Sequence, residues 1–353
     1  MTAELRDLKM TWERYKKRYI RKTDRKEKII WIMALFVVLL TIMASQFIIL
    51  GTLDRSYNDN HNTLKINTWA YQLQNASPDE ISHSGFDLVV MDYSRDGTPD
   101  GEYSWEEIKK IKDMGIMPLA YLSIGEAEDY RFYWDANWYK NPPEWLGNEN
   151  PEWKGNYAVK YWNKEWRKII YKYIKKIVSQ GFMGLYLDKV DEFEYWSNPD
   201  NGEDIHLSRE EAAKRMIKLI LDIEKYARSI ARDNFYIVPQ NGEGILQYDN
   251  GTLIRIVSGW AAEDLFYNST LRWNASERMW IENHRFPYLL LVLKSGKPVM
   301  CVDYVDDGSG YKGENKMRIE SFREEAIKEG FIPYAAISDR ELDELNIIPG
   351  VQP

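Results

Sequence analysis

Two carboxylates end apolar segments of this 353-residue sequence, where a buried strand would deliver each of them to a shared surface. Asp188 closes the segment "GFMGLYLD", and Glu263 closes "IRIVSGWAAE". Because an ionised side chain at the end of a buried strand is costly unless it has a role, both predict a functional site. Two carboxylates that face one cleft can cleave a glycosidic bond. One donates a proton to the leaving oxygen, and the other, ionised, attacks or activates water.

Further polar side chains follow similar segments along the chain. At least one comes at or just after the end of six successive predicted strands: Asp92; Glu126 and Glu128; Asp188 and Asp191; Gln240, Asn241 and Glu243; Glu263 and Asp264; Asp303. Burial and neighbouring like charges hold the pKa values of two such carboxyls apart. We therefore predict that Asp188 and Glu263 are catalytic. The predicted substrate-binding polar residues are Asp92, Glu126, Asp191, Asn241 and Glu243.

Simpler roles are open to several of these acids. Asp191 either caps the following helix or braces Asp188. The alternative for Glu128 is a solvated charge on a loop. The alternative for Asp264 is a position next to the catalytic carboxylate without a catalytic role of its own. The acids in glycine-containing, turn-like sequence are predicted turn residues, namely Asp96, Asp100, Asp306 and Asp307.

Aromatic residues are abundant, with 14 Trp and 24 Tyr. Most are expected to fill the core, but flat rings also stack on the apolar faces of sugars. The rings near predicted strand ends are candidate sugar platforms: Trp69, Tyr71, Tyr93, Trp260 and Tyr304.

Short apolar runs alternate with amphipathic segments and would position these residues. Predicted strands cover 65–73, 86–92, 117–124, 182–188, 234–240, 254–263, 297–304 and 330–336. Predicted helices cover 104–115, 163–181, 208–233, 275–296 and 315–330. This alternation predicts parallel pairing and a (β/α)8 TIM barrel over 65–345, with its active site at the carboxyl ends of the strands. A doubly wound sheet is the alternative, disfavoured because no G-x-G-x-x-G follows the first strand.

The first 64 residues predict a membrane anchor. Residues 29–50 carry no charged side chain, and a helix of that length rises about 33 Å, enough to cross a hydrocarbon core of roughly 30 Å. Residues 1–28 contain eleven Lys and Arg against five Asp and Glu, which predicts a cytoplasmic basic tail. A polar tether at 51–64 would lead to an extracellular domain at the cell membrane. A cleavable signal peptide and a buried core helix are the alternatives.

Composition narrows the partners and cofactors. The chain has a net charge of −8 and the tail carries +6, so the remaining residues carry −14, which favours cationic polymers over nucleic acid. A single cysteine, Cys301, excludes an intramolecular disulfide. The four histidines lack i, i+4 spacing, which disfavours a histidine-rich metal centre. We expect neither a metal nor a cofactor.

The strand-end motifs resemble glycoside hydrolase family 114, the endo-α-1,4-polygalactosaminidase-like proteins. The similar segments are "MDYSRDG", "AYLSIGEAEDYRFYW", "GFMGLYLDKVDEF", "VPQNGEG" and "GWAAEDLFY", within a resemblance that spans about 65–340. The resemblance implies a (β/α)8 barrel that cleaves α-1,4-linked galactosamine polymers. It implies that Asp188 is the nucleophile or base and Glu263 the acid, or the reverse. It also implies that Asp92, Glu126, Asp191 and Asn241 line the sugar site.

Two other functions fit the same residues. A non-catalytic receptor for a cationic glycan would bind in the cleft without releasing products. A metal-dependent hydrolase or deacetylase would use an all-carboxylate site on the same barrel, and a chelator would abolish its activity.

Overall fold

Eight parallel strands form the framework of the region that the computed structural model describes, residues 62–231 and 234–353. In chain order they are β1 (Trp69–Tyr71), β2 (Leu88–Met91), β3 (Met117–Ser123), β4 (Gly184–Asp188), β5 (Tyr236–Pro239), β6 (Trp260–Glu263), β7 (Val299–Asp306) and β8 (Ile332–Ile337). Each overlaps a predicted strand. Apolar runs in the sequence identified these strands because parallel strands are buried on both faces.

The strands lie side by side in sequential order, as in a TIM barrel. One sheet contains β1 to β5, and a second contains β6 to β8. A parallel bridge between Gln240 and Ala261 joins β5 to β6. The indole nitrogen of Trp69 on β1 donates a 2.8 Å hydrogen bond to the carbonyl of Ile332 on β8. The α/β fold is therefore TIM-barrel-like, and its strand order lacks the reversal of a doubly wound sheet.

Helices connect the strands, and their ends follow local sequence rules. They are α1 (Pro78–Ser82), α2 (Trp105–Asp113), α3 (Lys164–Gln180), α4 (Glu192–Tyr195), α5 (Arg209–Ile230), α6 (Thr252–Ile256), α7 (Ala275–His284), α8 (Phe286–Lys294) and α9 (Gly313–Lys328). Ser104 and Glu107 form the predicted capping box of α2. Gly181 ends α3 with a φ of 96°, a conformation that favours glycine.

Two predicted elements differ in their boundaries. The predicted strand 254–263 begins instead with α6, and β6 starts only at Trp260. The predicted helix 275–296 is divided at Arg285 into α7 and α8. Pro287 lies in the first turn of α8. Since proline has no N–H to donate, it is tolerated at a helix start and interrupts a longer helix.

An insertion between β3 and α3 carries an antiparallel sheet that the sequence did not predict. Its strands are ordered Glu126–Glu128, Asn156–Val159 and Leu146–Glu149. Trp145 of the insertion packs on Trp166 of α3 with ring centroids 5.1 Å apart. Because the insertion leaves from the carboxyl end of β3, it stands beside the predicted site.

Aromatic rings fill part of the barrel interior. Trp69 lies 6.2 Å from Tyr71, 6.4 Å from Tyr186 and 5.7 Å from Tyr334, measured between ring centroids. These four residues come from β1, β4 and β8, so the cluster packs strands that are far apart in sequence. We call them the barrel aromatic cluster.

The predicted basic tail, transmembrane helix and most of the polar tether lie at residues 1–61, outside the described residues. Across 62–231 and 234–353, no helix combines the length and apolar character needed to span a bilayer.

Candidate active site

A cavity of about 510 Å³ opens at the carboxyl ends of the strands, and both predicted catalytic carboxylates line it. Asp188 is the last residue of β4, and Glu263 is the last residue of β6. The other predicted site residues on the cavity wall are Tyr71, Asp92, Glu126, Asp191, Asn241 and Tyr304. The barrel therefore brings together side chains that are up to 233 positions apart in the sequence.

Asp188 has a donor for each carboxyl oxygen. Its Oδ2 accepts a 2.7 Å hydrogen bond from the Tyr121 hydroxyl, and its Oδ1 accepts a 2.7 Å bond from the Lys189 backbone N–H. Lys189 has a φ of 61°, a left-handed conformation directly after the strand. Burial raises the pKa of Asp188 to about 6, while the Lys189 ammonium and the Tyr121 hydrogen bond oppose that rise.

Glu263 is held by two uncharged side chains. Its Oε1 accepts a 3.2 Å hydrogen bond from the Asn241 amide, and its Oε2 accepts a 3.0 Å bond from the Tyr304 hydroxyl. Burial raises the pKa of Glu263 to about 7, and the negative charges of Asp264 and Asp188 raise it further. Glu263 therefore has the higher pKa of the two and is the carboxyl that keeps its proton to higher pH.

Asn241 is fixed from several directions. Its Oδ1 accepts from the Glu263 backbone N–H at 3.1 Å and from Arg285 Nη2 at 3.0 Å. Trp260 donates its indole N–H to the Asn241 carbonyl at 3.0 Å. Glu243 forms an ion pair with Arg285, and its side chain is buried. Glu243 and Trp260 thus lie behind the wall, where they position Asn241, and not on the cavity surface where we predicted them.

Asp92 lines the cavity but belongs to a buried ion triad. Arg131 contacts Asp92 Oδ2 at 2.6 Å and Glu128 Oε2 at 2.6 Å, with all three side chains almost fully buried. Burial raises the pKa of Asp92 to about 6, and the Arg131 charge opposes that rise. Glu128 is therefore not a solvated loop charge. Its carboxylate holds Arg131, and Arg131 in turn anchors the insertion to Asp92, the residue after β2.

Glu126 connects the insertion to the end of β4, the strand that carries Asp188. It accepts hydrogen bonds from the side chains of Asn150 at 2.8 Å and Asn156 at 3.5 Å. It also forms a 2.8 Å ion pair with Lys189, the residue after Asp188. Both Glu126 and Lys189 line the cavity. The network therefore fixes the hairpin of the insertion relative to the end of β4.

Asp191 faces the cavity, and its charge acts on its neighbours. Although it precedes α4, its side chain makes no capping hydrogen bond with that helix. Its negative charge raises the pKa of Lys189 and also contributes to the raised pKa of Asp188. The structure therefore does not support the capping role, and the interaction of Asp191 with Asp188 is that of a nearby like charge.

Three of the predicted sugar platforms, Trp69, Tyr93 and Trp260, are core residues. Trp69 belongs to the barrel aromatic cluster and is fully buried. Tyr93 is also fully buried, and its hydroxyl donates to the Gly97 carbonyl at 3.1 Å. Trp69 is the first residue of β1, at the end away from the cavity, whereas the ring of Tyr93 packs against Phe132 of the insertion and Tyr173 of α3. Tyr71 and Tyr304 do reach the cavity wall.

Other residues that line the cavity were not predicted from the sequence. They include Tyr121, Tyr130, Arg131, Trp153, Lys189 and Arg340. Tyr121 was detectable in principle, because it precedes Ser123 by two positions and Ser123 pairs in register with Asp188. Arg340 pairs with Asp264 at 2.6 Å, a contact between distant loops that no local pattern indicates.

Some acidic side chains of the cavity are paired with cations. Arg131 and Lys189 pair with Asp92 and Glu126. Within the described ranges, no group of three or more His, Cys, Asp or Glu side chains has an arrangement that could hold a metal ion.

Structural comparison relates this fold to glycoside hydrolases of low sequence identity. The glycoside hydrolase domain of PelA from Pseudomonas aeruginosa has a TM-score of 0.59 and 18% identity, covering 80% of this chain and 98% of that domain. Ega3 from Aspergillus fumigatus, in complex with galactosamine, has a TM-score of 0.57 and 16% identity, covering 82% of this chain and 98% of Ega3.

Sequence comparison is more specific. An uncharacterized protein of Methanocaldococcus jannaschii is 56% identical over 288 residues, covering 81% of this chain and 80% of the relative. One of Thermotoga maritima is 50% identical over 290 residues, covering 82% and 86%. The sequence model of glycoside-hydrolase family GH114 matches residues 53–352. The chain therefore belongs to glycoside-hydrolase family GH114 and is a glycosidase.

Proposed function

We propose that the protein is an endo-acting glycosidase of α-1,4-linked galactosamine polymers, with Asp188 and Glu263 as its catalytic pair. The observation that carries the proposal is their placement on one cavity with pKa values of about 6 and about 7. The structural similarity to Ega3, which has been crystallised with galactosamine, supports the choice of sugar. The acidic balance of the chain suits an ammonium-bearing polymer.

The roles follow from the surroundings of each carboxyl. Glu263, the acid with the higher pKa, donates its proton to the glycosidic oxygen as the bond breaks. Asp188 is ionised at the same pH and either attacks the anomeric carbon or removes a proton from the attacking water. Tyr121 and the Lys189 N–H orient Asp188, while Tyr304 and Asn241 orient Glu263.

The proposal is tested by Asp188→Asn and Glu263→Gln assayed on polygalactosamine. We expect each variant to lose oligosaccharide release while its thermal unfolding curve stays that of the wild type. Binding without product release by the wild-type protein would instead support the glycan receptor. Activity that disappears on dialysis against a chelator would support the metal-dependent hydrolase or deacetylase.

We further propose that residues 29–50 anchor the enzyme in the cell membrane, with residues 1–28 cytoplasmic and the catalytic domain outside. The uncharged apolar stretch and the basic residues before it support this topology. Protease added to intact cells should remove the catalytic domain and leave the tail protected. A catalytic domain that is digested only after lysis would contradict the proposed topology.

A further inference from the structure

Two large aromatic side chains stand exposed on the rim of the catalytic cavity. Trp153 is 56% exposed and Tyr130 is 42% exposed, and both line the cavity. Both belong to the insertion between β3 and α3. The other large apolar side chains that are exposed in the described part of the chain lie away from this cavity. Exposed rings beside a catalytic cleft mark a binding surface more often than isolated exposed rings do.

Trp153 is held relative to the catalytic strand. It lies at the hairpin tip between strands Leu146–Glu149 and Asn156–Val159. Its carbonyl accepts a 3.1 Å hydrogen bond from the Asn156 N–H, which closes the tip. The side chains of Asn150 and Asn156 then contact Glu126, which pairs with Lys189 beside Asp188. Because the hairpin backbone is anchored through these contacts, it presents the Trp153 ring at a fixed place on the rim, which lowers the cost of ordering on binding.

Tyr130 is fixed on the same rim. Its hydroxyl donates to Glu128 Oε1 at 2.7 Å, and Arg131 Cζ lies 4.8 Å from the centre of its ring. Gly97 packs so closely that a Cβ there would meet Tyr130 Cε2 at 2.7 Å. The ring therefore has one side packed against the protein, while 42% of the residue remains exposed.

We propose that Trp153, with Tyr130 on the same rim, forms a sugar-binding subsite outside the catalytic pair. This inference rests on the proposed function, because it assigns an extended glycan chain to the same cavity. A flat ring binds the apolar face of a pyranose. Lys154 and Asn156 line the cavity beside Trp153 and can donate to hydroxyl or acyl oxygens. The subsite takes a pyranose unit of a chain whose cleavage point lies at Asp188 and Glu263.

The test compares Trp153→Ala with Trp280→Ala, a control with the same 56% exposure on α7 and no place on the cavity wall. On polygalactosamine, Trp153→Ala should raise KM about three- to tenfold with kcat unchanged. On an aryl glycoside of a single sugar it should behave as the wild type. Trp153→Phe should keep most of the polymer affinity, and Trp280→Ala should change neither constant. Equal KM values for Trp153→Ala and the wild type on the polymer would overturn the subsite, as would an equal rise on both substrates.

Binding without turnover separates this inference from the proposed function. Calorimetry with polygalactosamine would compare Asp188→Asn with the double variant Asp188→Asn/Trp153→Ala. Weaker binding by the double variant supports the subsite, and equal binding overturns it. If neither variant nor the wild-type protein binds the polymer, the proposed function is overturned together with the subsite.

Discussion

Asp188 and Glu263 end two strands of one barrel, β4 and β6, yet the groups that face them differ in charge. Burial raises the pKa of both carboxyls. At Asp188 the Lys189 ammonium opposes burial, whereas at Glu263 the charges of Asp264 and Asp188 add to it. The difference shows how one side-chain chemistry can supply both a base and an acid, because the neighbours decide which carboxyl keeps its proton.

The largest effect should come from removing the two carboxyls and varying the leaving group. Glu263→Gln should lower kcat/KM on the polymer by about 10²- to 10⁴-fold, because no proton reaches the leaving oxygen. With a 2,4-dinitrophenyl glycoside, whose leaving group needs no proton, most of that loss should disappear. Asp188→Asn should stay inactive on both substrates. Equal rescue of both variants by the activated substrate would show that the two roles have been assigned wrongly.

The pH profile of the wild-type enzyme should show the different pKa values of the two carboxyls. Asp188 loses its charge as the pH falls through about 6, and Glu263 loses its proton as the pH rises through about 7. The profile of kcat/KM should therefore be a narrow bell with its maximum between these values. Glu263→Gln assayed on the activated substrate should retain only the acid limb. A flat profile through this range would contradict the roles.

Asp264→Asn should move only the alkaline limb of the pH profile of kcat/KM. The Asp264 charge raises the pKa of Glu263, and its loss leaves the Arg340 charge, which lowers that pKa, without its partner. The alkaline limb should therefore move to lower pH while the acid limb stays in place. The measurement is kcat/KM against pH, and an unchanged alkaline limb would show that Asp264 does not act on the proton donor.

The smallest effects on the pH profile should come from removing the hydroxyls of Tyr304 and Tyr121. Tyr304 donates to Glu263 and lowers its pKa, and Tyr121 donates to Asp188 and lowers its pKa. Tyr304→Phe should therefore move the alkaline limb to higher pH and widen the bell. Tyr121→Phe should move the acid limb to higher pH and narrow it. Shifts of the same limb in both variants would mean that the two hydroxyls do not serve separate carboxyls.

The sequence predicted the barrel strands and the catalytic pair for the same physical reason. A strand buried on both faces is a continuous apolar run, and an acid that ends such a run is conspicuous. The prediction for Asp188 and Glu263 needed no knowledge of side-chain direction, since the last residue of a barrel strand lies at its rim. Their catalytic roles remain a prediction until the variants are assayed.

The insertion and its rim were not predicted. Strand Glu126–Glu128 and strand Leu146–Glu149 contain charged and polar residues and no apolar run, so periodicity could not mark them. The predicted sugar platforms Trp69 and Trp260 are buried, whereas the exposed ring of Trp153 lies in a polar turn. Which aromatic residue meets solvent depends on the packing of distant strands, and that information is not local.

The barrel aromatic cluster has a consequence for the working pH of the enzyme. Tyr71 and Tyr186 interact electrostatically with both carboxyls, and within the described residues the hydroxyl of Tyr186 has no hydrogen-bond partner. These buried rings contribute to the burial that raises the pKa of both carboxyls. Part of the acidity of the pair is therefore set from inside the barrel, by rings such as Trp69 and Tyr186 that do not line the cavity.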